Sequence, residues 1–144
     1  MTVYSRILVP LEHSPTDTAI LEHVRPLAKL CGAAIVLIHV ADGWAARNLK
    51  QLSLRESEEM QKDRAYLEGV CAELERDGFD ADALLANGDP ADEILGAAAR
   101  ERCDLIAMAT HGHRLVGDIV YGSVANTVRH RAAVPVLMVR GPRG

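Results

Sequence analysis

Five short apolar segments alternate along the chain with segments in which apolar residues recur at helical spacing. The apolar segments run from Ser5 to Leu11, Ala33 to Val40, Ala81 to Ala86, Asp104 to Ala109 and Val134 to Val139. Most of them lack an apolar–polar alternation, which is typical of strands that are covered on both faces of a parallel sheet. We therefore predict five strands, of which the one from Ala33 to Val40 is central.

Helix signals stand between the strands. Ser14-Pro15-Thr16-Asp17 supplies an N-cap serine, a proline at the first helical position and an acid at the third, and Gly32 is placed to end that helix. Asp89-Pro90-Ala91-Asp92 repeats the signature before a third helix. The second helix is predicted from the apolar face Leu67, Val70, Cys71 and Leu74 and ends near Gly78, and the fourth runs from Ser123 to about Arg131. A loop is predicted around Trp44, from Ala41 to about Leu52.

Strict alternation of strands and helices predicts an α/β fold. The expected architecture is an open, doubly wound sheet of five parallel strands with helices on both faces. The 144 residues suit one domain, spanning residues 1–144. Pro135 lacks the N–H that a central strand needs, so the last strand is expected at a sheet edge.

Composition and charge exclude several classes of protein. With 16 basic and 20 acidic residues the net charge is -4, which gives no support for binding nucleic acid or an anionic membrane. The apolar segments are far shorter than the roughly 20 residues that span a bilayer, and no secretory signal is visible, so we expect a cytoplasmic protein. The three cysteines, at positions 31, 71 and 103, fit neither a disulfide framework nor a zinc site.

The segment from Ala109 to Ser123 carries the strongest chemical signal. It joins a predicted strand to a predicted helix and contains glycines at positions 112, 117 and 122. Glycines let backbone N–H groups approach an anion, and the start of a helix favours phosphate. Neither a Gly-Lys-Ser/Thr loop nor a Gly-x-Gly-x-x-Gly fingerprint occurs. The residues alone therefore predict local phosphate binding, with Ser123 as a further donor or metal ligand, against the alternative of a simple tight connection.

Other polar residues near the strand ends give weaker signals. His111 and His113 flank Gly112, but no third ligand stands at a diagnostic spacing, so no dedicated metal site is predicted. Glu12 suits either a ribose or adenine contact or the amino terminus of the first helix. No nucleophile is paired with a recognisable base, so no catalytic residue is assigned.

The glycine spacing resembles that of the universal stress protein family. Its nucleotide-binding members carry Gly-x-x-Gly, nine residues, and Gly followed by Ser or Thr, and here the nine are His113 to Tyr121. The resemblance extends over most of the chain, through Arg6-Ile7-Leu8-Val9-Pro10, Gly88-Asp89-Pro90-Ala91-Asp92-Glu93-Ile94, Cys103-Asp104-Leu105-Ile106, Tyr121-Gly122-Ser123-Val124-Ala125 and Val134-Pro135-Val136-Leu137-Met138-Val139.

The resemblance implies an adenine nucleotide alpha-hydrolase-like fold and an adenine nucleotide ligand, ATP with Mg²⁺ ahead of AMP or ADP. It also implies a homodimer through Val134 to Val139, and a stress-response signalling role with an unknown partner. The implied contacts to adenine and ribose are Pro10, Leu11, Glu12 and Val40. Those near the phosphates are Gly112, His113, Gly122, Ser123 and Val124, with Ala109 and His111 in the same segment.

Two positions depart from the family pattern. Ala109 stands where the nucleotide-binding members have their first glycine, and Glu12-His13-Ser14 replaces the usual Asp-Gly-Ser after the first strand. A Cβ at position 109 is costly only if the backbone there needs a positive φ. Two alternatives therefore stay open: a nucleotide-free homodimeric interaction protein of the same fold, and a slow ATPase.

Overall fold

The computed structural model describes residues 3–41, 54–110 and 116–141, and of residues 54–57 and 116–122 only the backbone. The described elements alternate strictly between strand and helix. They are β1 (Arg6–Pro10), α1 (Thr16–Cys31), β2 (Ala34–Ala41), α2 (Leu54–Arg76), β3 (Ala81–Asn87), α3 (Pro90–Arg100), β4 (Leu105–Thr110), α4 (Val116–Arg131) and β5 (Val136–Arg140). The predicted order of elements is confirmed.

The five described strands form one parallel sheet in the order β3-β2-β1-β4-β5. β2 lies inside the sheet and β5 at its edge, as the continuous apolar run and Pro135 predicted. The chain moves outward from β1 to β2 and β3, and then crosses back to place β4 on the other side of β1. The point where the strand order reverses therefore lies between β1 and β4.

Each face of the sheet supports a separate apolar core. Successive residues of a strand point to opposite faces, so Ile7 and Val9 join one core and Leu8 joins the other. α1 and α2 cover the first face, with Val24 and Leu74 completely buried there. α3 and α4 cover the second face, to which they contribute Ala91, Ile94, Ala97, Ala98, Ala125 and Val128. The predicted doubly wound α/β architecture is confirmed.

The start of α1 differs from the prediction, whereas its end does not. α1 begins at Thr16 after Pro15, and no side chain caps its amides. Ser14 is not the N-cap, because its hydroxyl bonds the side chains of Glu12 and Thr16. Gly32, with φ of 68°, ends the helix in the predicted left-handed conformation, and its N–H donates to the Lys29 carbonyl at 3.4 Å.

The other observed bounds of helices and strands agree closely with the predicted bounds, except at the start of α4. Asp89 caps α3 by accepting from the Asp92 N–H, as predicted. α4 begins at Val116 and not at Ser123, so the predicted bound was wrong by seven residues. A helical glycine costs only about 1 kcal/mol, so Gly117 and Gly122 do not prevent helix formation. β5 begins at Val136, two residues later than predicted. The carbonyl of Pro135, just before the strand, accepts a hydrogen bond from the Ile106 N–H.

No helix in the described ranges is both long and apolar enough to cross a membrane.

All three cysteines are free thiols. Cys103 is buried, while Cys31 and Cys71 are partly buried. Burial, followed by a hydrogen bond to Glu75, raises the pKa of Cys71 to about 11, and burial also raises the pKa of Cys103.

Candidate functional site

The candidate site lies at the carboxyl edge of the sheet, where β1 and β4 end side by side. β1 leads into α1 on one face, and β4 leads towards α4 on the other. Connections that leave adjacent strands in opposite directions open a crevice between them, which is the usual ligand position in such sheets. The sequence placed its phosphate-binding segment and Glu12 on these two connections.

A buried carboxylate organises the β1–α1 loop, residues 11–15. Asp17 lies in the first turn of α1 and is 2% exposed. It accepts hydrogen bonds from the backbone N–H groups of Glu12 at 2.9 Å, His13 at 2.9 Å and Ser14 at 3.3 Å. The hydroxyl of Tyr66, on α2, donates to the same carboxylate at 2.6 Å. Together these bonds satisfy a buried charge and fix the path of the loop.

Glu12 is oriented by hydroxyl groups of the same loop. Its Oε2 accepts from Thr16 Oγ1 at 2.8 Å and from Ser14 Oγ at 3.1 Å. Thr16 is the first residue of α1, so the carboxylate lies near the positive end of that helix, the second of the two roles that the sequence left open.

His13 takes a backbone conformation that L-residues seldom adopt. Its φ of 63° is left-handed. The ring stacks on Tyr66 with centroids 4.0 Å apart, and Nδ1 lies 2.7 Å from Oδ1 of Asp63 on α2. These contacts offset the cost of the strained backbone and join the loop to α2.

His39, on β2, also approaches the carboxylate of Asp63. Its Nδ1 lies 2.9 Å from the Leu11 carbonyl oxygen, and its Nε2 lies 3.4 Å from Oδ2 of Asp63. The sequence indicated a core histidine that is satisfied by backbone or by a neighbouring side chain, and the ring has a partner of each kind, although Asp63 was not singled out. Asp63 lies on the polar part of a long amphipathic helix, where a carboxylate gives no signal of its own.

Tyr66 stays protonated at any ordinary pH. Burial raises its pKa first, and the hydrogen bond and negative charge of Asp17 raise it further. The phenol is therefore a permanent donor to Asp17. No sequence motif marks this pair, because the two residues are 49 positions apart.

On the β4 side, Ala109 lies within the strand opposite Val139 of β5 and packs against the first core. Its backbone is extended, so its methyl group causes no left-handed strain. The edge next to it is closely filled. The Gly141 N–H donates to the Thr110 carbonyl at 2.6 Å, and a Cβ on Gly141 would lie 2.8 Å from Thr16 Cγ2.

The other predicted contacts of adenine and ribose come together at this edge. Pro10 ends β1 opposite Ile38, and Val40 lies two residues further along β2. Leu11 is buried in the first core and its N–H donates to the Ile38 carbonyl, so neither its side chain nor its N–H is available to a ligand. Val40 is partly buried and packs against the second core.

The predicted phosphate contacts are divided between two regions. His111, Gly112 and His113, like Trp44 and its predicted loop, lie outside the described residues. Gly122, Ser123 and Val124 lie inside α4, six or more residues after its start, where amides bond carbonyls four residues earlier. The helix amides open to an anion are therefore those of the first turn after Val116. Ser123 is exposed, and Val124 packs against the second core.

Two further observations concern other kinds of site. Among the residues that the structure describes, no three histidine, cysteine, aspartate or glutamate side chains are grouped to hold a metal ion. A cavity of about 500 Å³ lies at the amino edge of the sheet, lined among others by Arg6, Lys29, Phe79 and Asp80. It is at the opposite end of the strands from the candidate site, and we give the carboxyl edge more weight because the switch point lies there.

Fold and site together define a doubly wound α/β protein with its candidate ligand crevice at the β1–β4 switch point. The chain belongs to the universal stress protein family, whose family model matches residues 3–140. A universal stress protein of Thermus aquaticus is 37% identical over 120 residues, which cover 78% of this chain and 82% of the relative.

Solved structures agree with this assignment. The structure of MJ0577, a universal stress protein of Methanocaldococcus jannaschii, has a TM-score of 0.82 at 28% identity and covers 99% of this chain and 100% of its own. The universal stress protein of Archaeoglobus fulgidus in complex with dAMP has a TM-score of 0.69 at 20% identity, with coverage of 96% and 99%. The latter likeness is one of fold.

Proposed function

We propose that this protein binds an adenine nucleotide in the crevice between the ends of β1 and β4. The observation that carries the proposal is the divergence of the two connections at the switch point, one towards α1 and the other towards α4. The glycine-bearing segment that joins β4 to α4 follows the spacing of the nucleotide-binding family members. The dAMP complex of the Archaeoglobus fulgidus protein is a precedent for such a ligand in this fold.

The base and ribose are assigned to the β1–β2 side. There Pro10 and Val40 offer apolar surface at the strand ends, and Glu12 offers a carboxylate that accepts hydrogen bonds from hydroxyl groups. Because Glu12 already accepts two protein hydroxyls, a ribose hydroxyl would be a third donor on an oriented group.

The phosphates are assigned to the segment between Thr110 and Ser123. The glycines at 112, 117 and 122 have no side chain to obstruct an anion at those three positions, and the first-turn amides of α4 carry the positive end of the helix dipole. We propose ATP as the ligand, with Mg²⁺ held through its phosphates and Ser123 as a further oxygen ligand. Slow hydrolysis of ATP would use this same site.

The regulatory role that we propose is a nucleotide-dependent choice of partner by a homodimer, in the cytoplasm. β5 is an edge strand with partly buried apolar residues, and a second copy pairing there would satisfy its outer backbone groups. The partner protein and the stress that triggers binding are left unassigned.

The sharpest test compares two added carboxylates on the same helix. Gly122→Asp introduces bulk and negative charge into the glycine-bearing segment that we assign to the phosphates, whereas Asn126→Asp adds the same charge at an exposed position one turn later. We expect calorimetric titration with Mg–ATP to show binding to the wild type and Asn126→Asp, and at least a tenfold loss for Gly122→Asp. Equal affinity of all three folded proteins would contradict the proposed phosphate position.

A nucleotide-free interaction protein is the second candidate, because Ala109 replaces the first glycine of the motif. The extended backbone at Ala109 removes the strain argument and leaves only the bulk of one methyl group. Ala109→Gly separates the two candidates: if the methyl closes the site, this variant binds ATP and the wild type does not.

A further inference from the structure

Three ionisable side chains from three different elements meet beside the β1–α1 loop. His13 belongs to the loop, His39 to β2 and Asp63 to α2. The two imidazoles approach opposite oxygens of the one carboxylate, His13 Nδ1 at 2.7 Å from Oδ1 and His39 Nε2 at 3.4 Å from Oδ2. We call this group the histidine–carboxylate latch.

The hydrogen-bond partners decide where the protons lie. The Leu11 carbonyl oxygen can only accept, so Nδ1 of His39 carries a proton and donates to it. In a neutral ring Nε2 would then present a lone pair to the Asp63 carboxylate, and two acceptors repel each other. The contact is attractive only when His39 also carries a proton on Nε2, that is, when the ring is an imidazolium.

The geometry favours a proton, and not a metal ion, between Nε2 of His39 and the carboxylate of Asp63. The side chains lie at the two ends of the carboxylate, and no three possible metal ligands converge among the described residues. Within the latch, the side chains of His39 and Asp63 are 14% and 22% exposed, whereas that of His13 is 38% exposed, so the His39–Asp63 pair is the more shielded of the two. Shielding strengthens an ion pair relative to one at the surface.

No other titratable group near the latch can take the place of the proton on Nε2 of His39 as the partner of Asp63. Besides His13, the nearby titratable groups are Glu12 on the loop and Asp17 in the first turn of α1, which already accept hydrogen bonds from hydroxyl or amide groups. On α2 Tyr66 donates to Asp17, and on β3 the residue in register with His39 is Leu85, which carries no charge. Asp63 is therefore the anion that directly faces both rings.

We infer that the latch is a proton-dependent clasp that fastens the β1–α1 loop to α2, closed when His39 is protonated and loosened when it is neutral. The His39–Asp63 attraction is present at acidic pH, where both nitrogens of the ring carry a proton, and is lost at alkaline pH, where only Nδ1 does.

The clasp acts on the wall of the proposed nucleotide site but does not require that site to bind. Glu12 and the Leu11 carbonyl stand on the loop that the latch holds. Acidification therefore fixes this wall, whether or not a ligand occupies the crevice. A test in the absence of nucleotide is thus independent of the proposed function.

The test is a double-mutant cycle of His39→Gln and Asp63→Asn in the full-length protein, with melting temperatures measured at pH 5.5 and pH 8.5. We expect a coupling of about 3 °C at pH 5.5, corresponding to one partly buried ion pair in a domain of this size, and its loss at pH 8.5. His23→Gln is the matched control, because His23 is exposed and has no partner among the described residues. Its cycle with Asp63→Asn should show no coupling at either pH.

Hydrogen exchange supplies a second readout that does not depend on global stability. After correction for intrinsic rates, the segment 5–20 of the wild type should lose protection by about tenfold or more between pH 5.5 and pH 8.5, and β4 should not. In folded Asp63→Asn the pH dependence should vanish. Equal coupling at both pH values, no coupling at either, or unchanged loop protection in the wild type would each overturn the clasp.

Discussion

Asp17 shows how one side chain can organise a loop that has no regular secondary structure. Its carboxylate accepts three backbone amides and one phenol, in a position that is almost completely buried. The sequence placed this acid in the first turn of α1 without indicating its partners. The hydrogen bond from Tyr66 could not be predicted from the sequence, because it depends on how α2 packs against the sheet.

Asp17→Asn should therefore destabilise the protein strongly. The amide keeps one oxygen acceptor but places N–H groups against N–H and O–H donors, so we expect a loss of about 3 kcal/mol in the free energy of unfolding. Tyr66→Phe, which removes a single bond, should cost about 1 kcal/mol. Urea unfolding followed by circular dichroism measures both, with exposed Asp80→Asn as a control within about 0.5 kcal/mol. A small effect of Asp17→Asn would refute the organising role of this carboxylate.

The raised pKa values of Cys71 and Cys103 predict slow thiol chemistry. Thiolate is the reactive form, and Cys71, with a pKa of about 11, remains a neutral thiol through pH 9. In the folded protein both cysteines should react with iodoacetamide at pH 8 at least tenfold more slowly than in urea. Peptide mass spectrometry after timed labelling gives the two rates, and labelling as fast as in the unfolded chain would show that burial does not protect them.

At the scale of elements, the predictions that succeeded depend on local chemistry. Gly32 and Asp89 mark helix ends because a left-handed residue and a short acceptor side chain act within a few positions. The start of α4 was misplaced because glycine content is a weak local signal that the surrounding packing overrides. The same reasoning separates two exposed glycines that look alike in the sequence.

Gly32→Ala and Gly69→Ala should shift stability in opposite directions. A Cβ meets nothing within 4 Å at either site, so sterics do not distinguish them. Gly32 has a φ of 68°, where alanine costs about 1 kcal/mol, whereas Gly69 lies inside α2, where alanine gains about 0.5 kcal/mol or more. Thermal unfolding of the two variants measures the difference. Equal shifts would contradict the assigned backbone conformations.

At the scale of the whole molecule, the arrangement of apolar runs predicted the sheet and its two covered faces, and Pro135 predicted the position of β5 at an edge. The network from Asp17 through Tyr66, His13 and Asp63 to His39 was not predictable in the same way. It joins elements far apart in sequence, and its members are ordinary polar residues until the fold brings them together.

The exposed edge of β5 predicts that the protein is a dimer. Pairing of two copies would cover backbone groups and partly buried apolar residues of Val136 to Val139 in one twofold contact. Sedimentation at concentrations from about 1 to 100 µM should give twice the monomer mass of 15.6 kDa. A monomer over the whole range would contradict the proposed pairing.

The most direct test of nucleotide binding is to identify what leaves the site when the protein is unfolded. Freshly purified protein is denatured in acid, and the supernatant is separated by ion-exchange chromatography against adenine nucleotide standards. We expect an adenine nucleotide in the wild type, with Asn126→Asp retaining it and Gly122→Asp losing it. If the wild type releases none and does not bind millimolar Mg–ATP afterwards, the proposed ligand site is wrong and only the fold assignment stands.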